Sequence, residues 1–378
     1  MRRRTVLLVA ALAALASLLA ASAQAGGDQG ADRYIVVLKN AVDSNAVANL
    51  HSARYGANVD AVWSQALHGY AAVIPNDRVA ELRADQNVSY VVPDGVASTQ
   101  AQTLPWGIDK IDADVSSQIA GDGSGAVTNV HVYVIDTGVD TGHPDLNVVS
   151  FVSFTGGPKR DCNGHGTHVA GTIAAKDDSQ GVVGVAPGAP IHAVKVLGCS
   201  GSGTWTGVIN GIEWVTSNAI KPAIANMSLG GGANQAVDDA VQNSAASGVF
   251  YSLAAGNDGA NACNQSPARA GAGTTNGIAT AAATDSSDTE ASWSNYGPCV
   301  DIWAPGVSIL STYKGGGYAT LSGTSMASPH VGGGGALWLS THSGSPAQVE
   351  AALKSAAVPT GTNSKDGTSI KREHVGGF

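Results

Sequence analysis

Charge is scarce in this chain of 378 residues: Asp, Glu, Lys and Arg make up 13% of it and aromatic residues only 5%. Such a composition excludes a disordered body or a long solvated coiled coil, both of which need far more charge. After Arg2-Arg3-Arg4 there is no basic run, so no nucleic-acid partner is expected. Beyond residue 25 no stretch is long and apolar enough to cross a bilayer, so no membrane span is expected either. No internal repeat is visible. Cysteine is limited to Cys162, Cys199, Cys263 and Cys299, without the close spacing of a structural zinc site. Four cysteines allow three disulfide connectivities.

What is abundant is glycine, with 49 residues, which points to a compact and loop-rich body. The net charge of −9 is unevenly placed: the first 97 residues carry 8 charges of each sign, and the rest carry 12 basic against 21 acidic. The N-terminus has the form of a secretory signal. Arg2-Arg3-Arg4 precede an apolar core from Val6 to Ala20, and Ala23-Gln24-Ala25 supplies the small-x-small cleavage pattern. Residues 1–25 are therefore expected to be removed on secretion, into a compartment where cysteines pair.

Residues 26–97 read as a small α+β unit. Strands are expected at Tyr34–Leu38, Tyr70–Ile74 and Val88–Val92, and helices at Asn45–Tyr55 and from Asn76-Asp77 to Ala84. Residues 98–378 alternate strand and helix. Strands are expected at Val130–Ile135, Ile191–Leu197, Ala223–Ser228 and Val249–Ala254. Helices are expected at Gly166–Lys176, Thr204–Asn218, Gln235–Ser247 and, after the Ser345-Pro346-Ala347-Gln348 capping box, to Ala357. The alternation predicts an α/β fold, a parallel sheet flanked by helices on both faces. Sites in such sheets lie off the C-terminal strand ends, where Asp136, Gly230 and Asn257 fall. The tail from Gly361 to Phe378, polar and Gly-rich, is expected to be loosely held.

The candidate chemistry sits at the same ends. Ser325, in Gly323-Thr324-Ser325-Met326-Ala327-Ser328-Pro329-His330, would open a helix, among unpaired N–H groups that stabilise developing negative charge. A serine nucleophile needs a base and a group that orients the base. His165 opens another expected helix, with glycine on either side, and Asp136 ends a buried strand. Asn257 adds a neutral amide donor. His168 reads as a packed core histidine. A zinc reading of the two histidines lacks the accompanying Glu and a third ligand.

These residues carry a resemblance. Val134-Ile135-Asp136-Thr137-Gly138, His165-Gly166-Thr167-His168-Val169-Ala170-Gly171-Thr172 and the Ser325 octapeptide resemble the three active-site signatures of subtilisin-like serine peptidases, in that family's order. Cysteine placement is similar to the proteinase K-like branch and its aqualysin-type secreted members, implying Cys162–Cys199 and Cys263–Cys299 pairing. The segment around Arg33–Leu38 is similar to the family's inhibitor-type propeptide. The resemblance implies a monomeric secreted endopeptidase acting on polypeptides, autoprocessed near Ala97–Ser98 and inhibited by its own propeptide. It implies Ser325 as nucleophile, His165 as general base, Asp136 as its orienter, and Asn257 with the Ser325 N–H as oxyanion donors. An extended peptide would pair with Gly201-Ser202-Gly203 and Ser228-Leu229-Gly230. Ala254-Ala255-Gly256 would help wall a P1 pocket free of acid, favouring apolar or aromatic P1 residues.

No catalytic cofactor is implied. Asp301 matches a calcium ligand of the proteinase K-like branch, so a structural calcium is a candidate there. Gly332-Gly333-Gly334-Gly335 departs from the family pattern. At about 0.8–1 kcal/mol per helical glycine, the nucleophile helix is expected to be either marginal or packed very close to a neighbour. Two other readings compete. Asp136-Thr137-Gly138 is also an aspartic-peptidase signature, a mechanism of two carboxylates sharing a proton, which a serine-directed inhibitor set against activity at low pH would separate. An inactive binding protein on the same fold would have lost a triad member, and all are present.

Overall fold

The computed structural model describes residues 31–40, 42–94, 102–273 and 275–378. The expected signal segment and the expected cut near Ala97–Ser98 lie outside the described residues. The chain divides into two compact units, with the boundary between Ser98 and Thr99.

The first unit is an antiparallel sheet in the order Asn58–Trp63, Gly69–Pro75, Ala31–Leu38, Val88–Pro93, with two helices. Helix Ser44–Tyr55 begins where the Asp43 carboxylate accepts from two backbone N–H groups, and stops at Gly56 with φ 69°. Val36, Tyr70, Ile74 and Leu82 form its buried core. Strand Asn58–Trp63, mostly exposed, adds to the three expected strands. The second helix starts as a 3₁₀ turn over Asn76–Arg78 and continues over Val79–Arg83. Neither Asn76 nor Asp77 caps it.

The second unit is built on a nine-stranded sheet. Its order is Val358–Asn363, Ser369–Arg372, Ile302–Pro305, Ile278–Thr284, Val249–Ala254, Ala223–Met227, His131–Asp136, Ile191–Lys195, Val148–Ser153. Every neighbouring pair is parallel except the first, which is antiparallel. Both faces are covered. In His131–Asp136, Val132 and Val134 join one core with helices His165–Ala174 and Thr324–Thr341. Tyr133 and Ile135 join the other, with Trp205–Asn218 and Gln235–Ala246. The period-2 geometry of a strand produces this split from a continuously apolar run.

One expectation changes here. The tail is held: it completes the edge strand Val358–Asn363 and supplies its neighbour Ser369–Arg372, and Ile370 and Val375 are fully buried. Its few apolar residues are spaced to point inward, which overall composition hides. Of the two possibilities for the glycine run, close packing is the one found. Helix Thr324–Thr341 is continuous through Gly332–Gly335, and a Cβ on Gly335 would stand 2.7 Å from the Phe250 ring. Cys162 is bonded to Cys199 and Cys263 to Cys299, closing loops of 37 and 36 residues.

Candidate active site

Three element ends meet on one rim. Asp136 is the last residue of strand His131–Asp136 and is fully buried. His165 is the first residue of helix His165–Ala174, and Gly164 before it has φ 107°, a turn that disfavours any side chain. His165 Nδ1 lies 2.8 Å from Asp136 Oδ1, which also accepts the Thr137 N–H at 2.6 Å. Burial pushes the imidazolium down. The charge and hydrogen bond of Asp136, with Asp161 behind it, outweigh that and hold the His165 pKa above its ordinary value.

Ser325 is the second residue of helix Thr324–Thr341. Its Oγ donates to the Ser228 carbonyl at 3.2 Å. No hydrogen bond joins it to His165, although both side chains line one cleft of about 630 Å³. Asn163, Leu197, Gly201, Ser202, Gly203, Ser228, Leu229 and Gly230 line the same cleft. Asn257 Oδ1 accepts from the Thr324 N–H and hydroxyl at 2.9 and 3.0 Å, which orients its NH₂ end away from that anchor. The site that a Cβ on Gly323 would occupy is 3.6 Å from Ser325 N and 3.7 Å from Asn257 Nδ2, so the two donors flank one small space.

A second cavity of about 470 Å³ adjoins Ser325 and Asn257. Ala254 and Gly256 line it, but Ala255 does not. Its side chain is fully buried on the other side of the strand end, as strand alternation requires. Asp258 and Gln265 line it too, hydrogen-bonded to each other, so this wall does carry an exposed acid. A reading confined to Ala254-Ala255-Gly256 stopped two residues short of it.

The supporting residues were harder to read from sequence. Asp161 accepts from the Thr137 hydroxyl, the N–H groups of Asn163 and Gly164, and the N–H and hydroxyl of Thr167. It ties the loop after Asp136 to the start of the His165 helix. Beneath Ser325, the fully buried Asn226 accepts from Ser252 and Ser328 at 2.7 and 2.8 Å, and donates to Ser228. His168 is a core residue: its Nε2 faces the Ile309 and Ala319 carbonyls, and burial drops its pKa to about 4.

The donor set at Asp301 does not fit calcium. Its Oδ1 lies 2.8 Å from Lys354 Nζ and its Oδ2 accepts the Thr280 N–H at 2.9 Å. Lys354 also meets Glu350 at 3.1 Å, and the other Glu350 oxygen accepts N–H groups from Asn276, Gly277 and Ile278. An ammonium thus fills the cationic position. Among the described residues no group of three His, Cys, Asp or Glu side chains is arranged for a metal.

The model of the subtilase family matches residues 128–375, and that of peptidase inhibitor I9 matches residues 33–100. An extracellular serine proteinase of Thermus sp. (strain Rt41A) is 45% identical over 316 residues, covering 80% of this chain and 74% of its own length. Alkaline serine exoprotease A of Vibrio alginolyticus is 41% identical over 357 residues, and 64% of its length is spanned. The solved structure of a cold adapted subtilisin-like serine proteinase aligns with 71% of this chain and 97% of its own, at a TM-score of 0.63 and 45% identity.

Proposed function

The chain belongs to the subtilase family, and from that premise we propose that it is a secreted serine endopeptidase in which Ser325, His165 and Asp136 cleave peptide bonds through an acyl-enzyme. The observation that carries this reading is the 2.8 Å bond from His165 to a fully buried Asp136, in the cleft that Ser325 also lines. With Nδ1–H held by Asp136, Nε2 is left as the basic nitrogen. Ser325 Oγ leaves the Ser228 carbonyl, gives its proton to Nε2 and attacks the scissile carbonyl. Such contacts are commonly longer before substrate binds. The oxyanion takes the space between Ser325 N–H and Asn257 Nδ2, where one donor is worth about 3–4 kcal/mol in the transition state. His165 then protonates the leaving amine, and water repeats the sequence on the acyl-enzyme.

A polypeptide would lie extended between Gly201–Gly203 and Ser228–Gly230, offering its backbone to both edges. The wall of Ala254 and Gly256 favours an apolar or aromatic P1 side chain, with Asp258 at its exposed margin. Residues 26–97 act as the inhibitory propeptide, released by cleavage near Ala97–Ser98. The enzyme works as a monomer and needs no cofactor. Labelling with an organophosphorus reagent tests the reading. We expect one modified peptide containing Ser325 and loss of activity with the same time course. Inactivation with the label on another residue would overturn it.

A further inference from the structure

Lys195 is among the largest fully buried side chains of the protein, and the reaction above makes no use of it. It ends strand Ile191–Lys195 and is the register partner of Asp136 in the adjacent parallel strand. A lone buried ammonium is costly unless it is hydrogen-bonded and balanced by opposite charge. Lys195 has both. Its Nζ donates to the Thr137 carbonyl at 2.6 Å and to the Leu197 carbonyl at 2.9 Å. Thr137 follows the triad acid, and Leu197 begins the edge that continues to Gly203. Burial lowers the Lys195 pKa below its ordinary value, and two nearby buried carboxylates, Asp161 and Asp136, offset part of that by favouring its charged form.

We propose that Lys195 is a positioning residue for the Ser325–His165–Asp136 site, clamping the triad acid to the substrate edge and balancing the buried charge as His165 takes up a proton. The inference rests on the peptidase reading above. The groups facing His165 are Asp136 from the strand, Asp161 from the preceding loop and His168 one turn along; those facing Lys195 are Asp136 and Asp161. His168 is neutral at working pH. With a neutral His165, the set of Asp136, Asp161 and Lys195 carries one excess negative charge. As His165 becomes an imidazolium the set becomes neutral. Removal of the ammonium leaves two unbalanced carboxylates, so the imidazolium becomes too stable and the base is protonated over more of the working range.

The test is Lys195→Met in the full chain, with kcat and KM for a peptide anilide measured across pH, beside Ser325→Ala. We expect the acid limb of kcat/KM to move up by about 0.5–1 pH unit. KM should rise a few-fold as the Leu197 edge loosens, and kcat should fall about tenfold on the plateau. A change of packing alone would lower activity without moving the limb. Should Lys195→Met fail to fold, Lys195→Gln, which keeps a neutral NH₂ donor, is to show the same shift. Should both fail, wild-type enzyme labelled with [ε-¹³C]lysine is to show one solvent-protected signal titrating at the His165 midpoint. A folded variant with an unmoved limb, or the lack of any such signal, overturns the proposal. Activity retained in Ser325→Ala would overturn the peptidase reading instead, and this inference with it.

Discussion

Two buried carboxylate sites in the second unit make an instructive pair. At the rim, Asp136 and Asp161 are buried among donors: Asp136 takes an imidazole and a backbone N–H, and Asp161 takes donors from four residues. Against helix Thr324–Thr341, Glu373 is also fully buried, yet neither of its oxygens has a partner among the described residues. It stands against Gly334, Leu353 and Val375. Burial alone holds its carboxyl far above the ordinary range, so it stays protonated. Equal burial thus gives an acid oriented by donors in one place and an unpartnered, inert one in the other. The partners decide the difference.

The largest effect should come from breaking the rim member. Asp136→Asn keeps the shape but loses the charge and favours the wrong imidazole tautomer. We expect kcat to fall about 10⁴-fold, near 5 kcal/mol of transition-state stabilisation. Glu373→Gln should leave kcat and its pH profile unchanged, because Glu373 faces no reacting group. Comparable losses in both variants would show that the rim acid acts through packing.

The second effect is on stability and carries a definite sign. Glu373 has a folded pKa above its unfolded value, so above the ordinary carboxylate range the unfolded chain holds fewer protons than the folded one. Its contribution is therefore complete at low pH and is lost as pH rises, by about 1.4 kcal/mol per unit until the folded group itself ionises. Glu373→Met removes an unpaired polar group as well as that slope. We expect a variant more stable than wild type at pH 8, with the gap narrowing towards pH 5, in chemical unfolding of the Ser325→Ala background. A variant less stable at pH 8 would mean that the carboxylate has a donor and belongs with the rim acids after all.

Much of the rim was legible in the sequence because its residues are local. Asp136, His165 and Ser325 each sit at an element end announced by an apolar run or by flanking glycines, and each lies in a motif. The residues that tune them were not legible. Lys195 reads as one polar residue inside the expected strand Ile191–Leu197, and only the register with Asp136 gives it a task. Asp161 sits between strand and helix with no pattern of its own. Asp301 looked open to a cation because its occupant, Lys354, is 53 residues away along the chain. Glu373 reads as one polar residue in a polar tail until the tail is seen to form sheet. In each case the missing knowledge is a long-range contact, which neither periodicity nor propensity encodes.

The smallest effect extends the comparison to an acid that is not buried at all. Asp258 lines the cavity beside Asn257 and Ser325, but it is exposed and hydrogen-bonded to Gln265. Water and salt screen an exposed charge, and exposed pairs are worth about 0.2–1 kcal/mol. A cationic P1 side chain reaching Asp258 should gain no more than that, while an aromatic one gains nothing from it. Asp258→Asn should therefore lower kcat/KM for a Lys substrate by about two- to fivefold relative to a Phe substrate. Raising ionic strength should erase the difference, because screening removes the same charge interaction in wild type. A larger or salt-resistant loss would mean that substrate closes over Asp258 and excludes water. The exposed acid would then join the rim acids as one whose effect is set by what surrounds it, here supplied by the substrate itself.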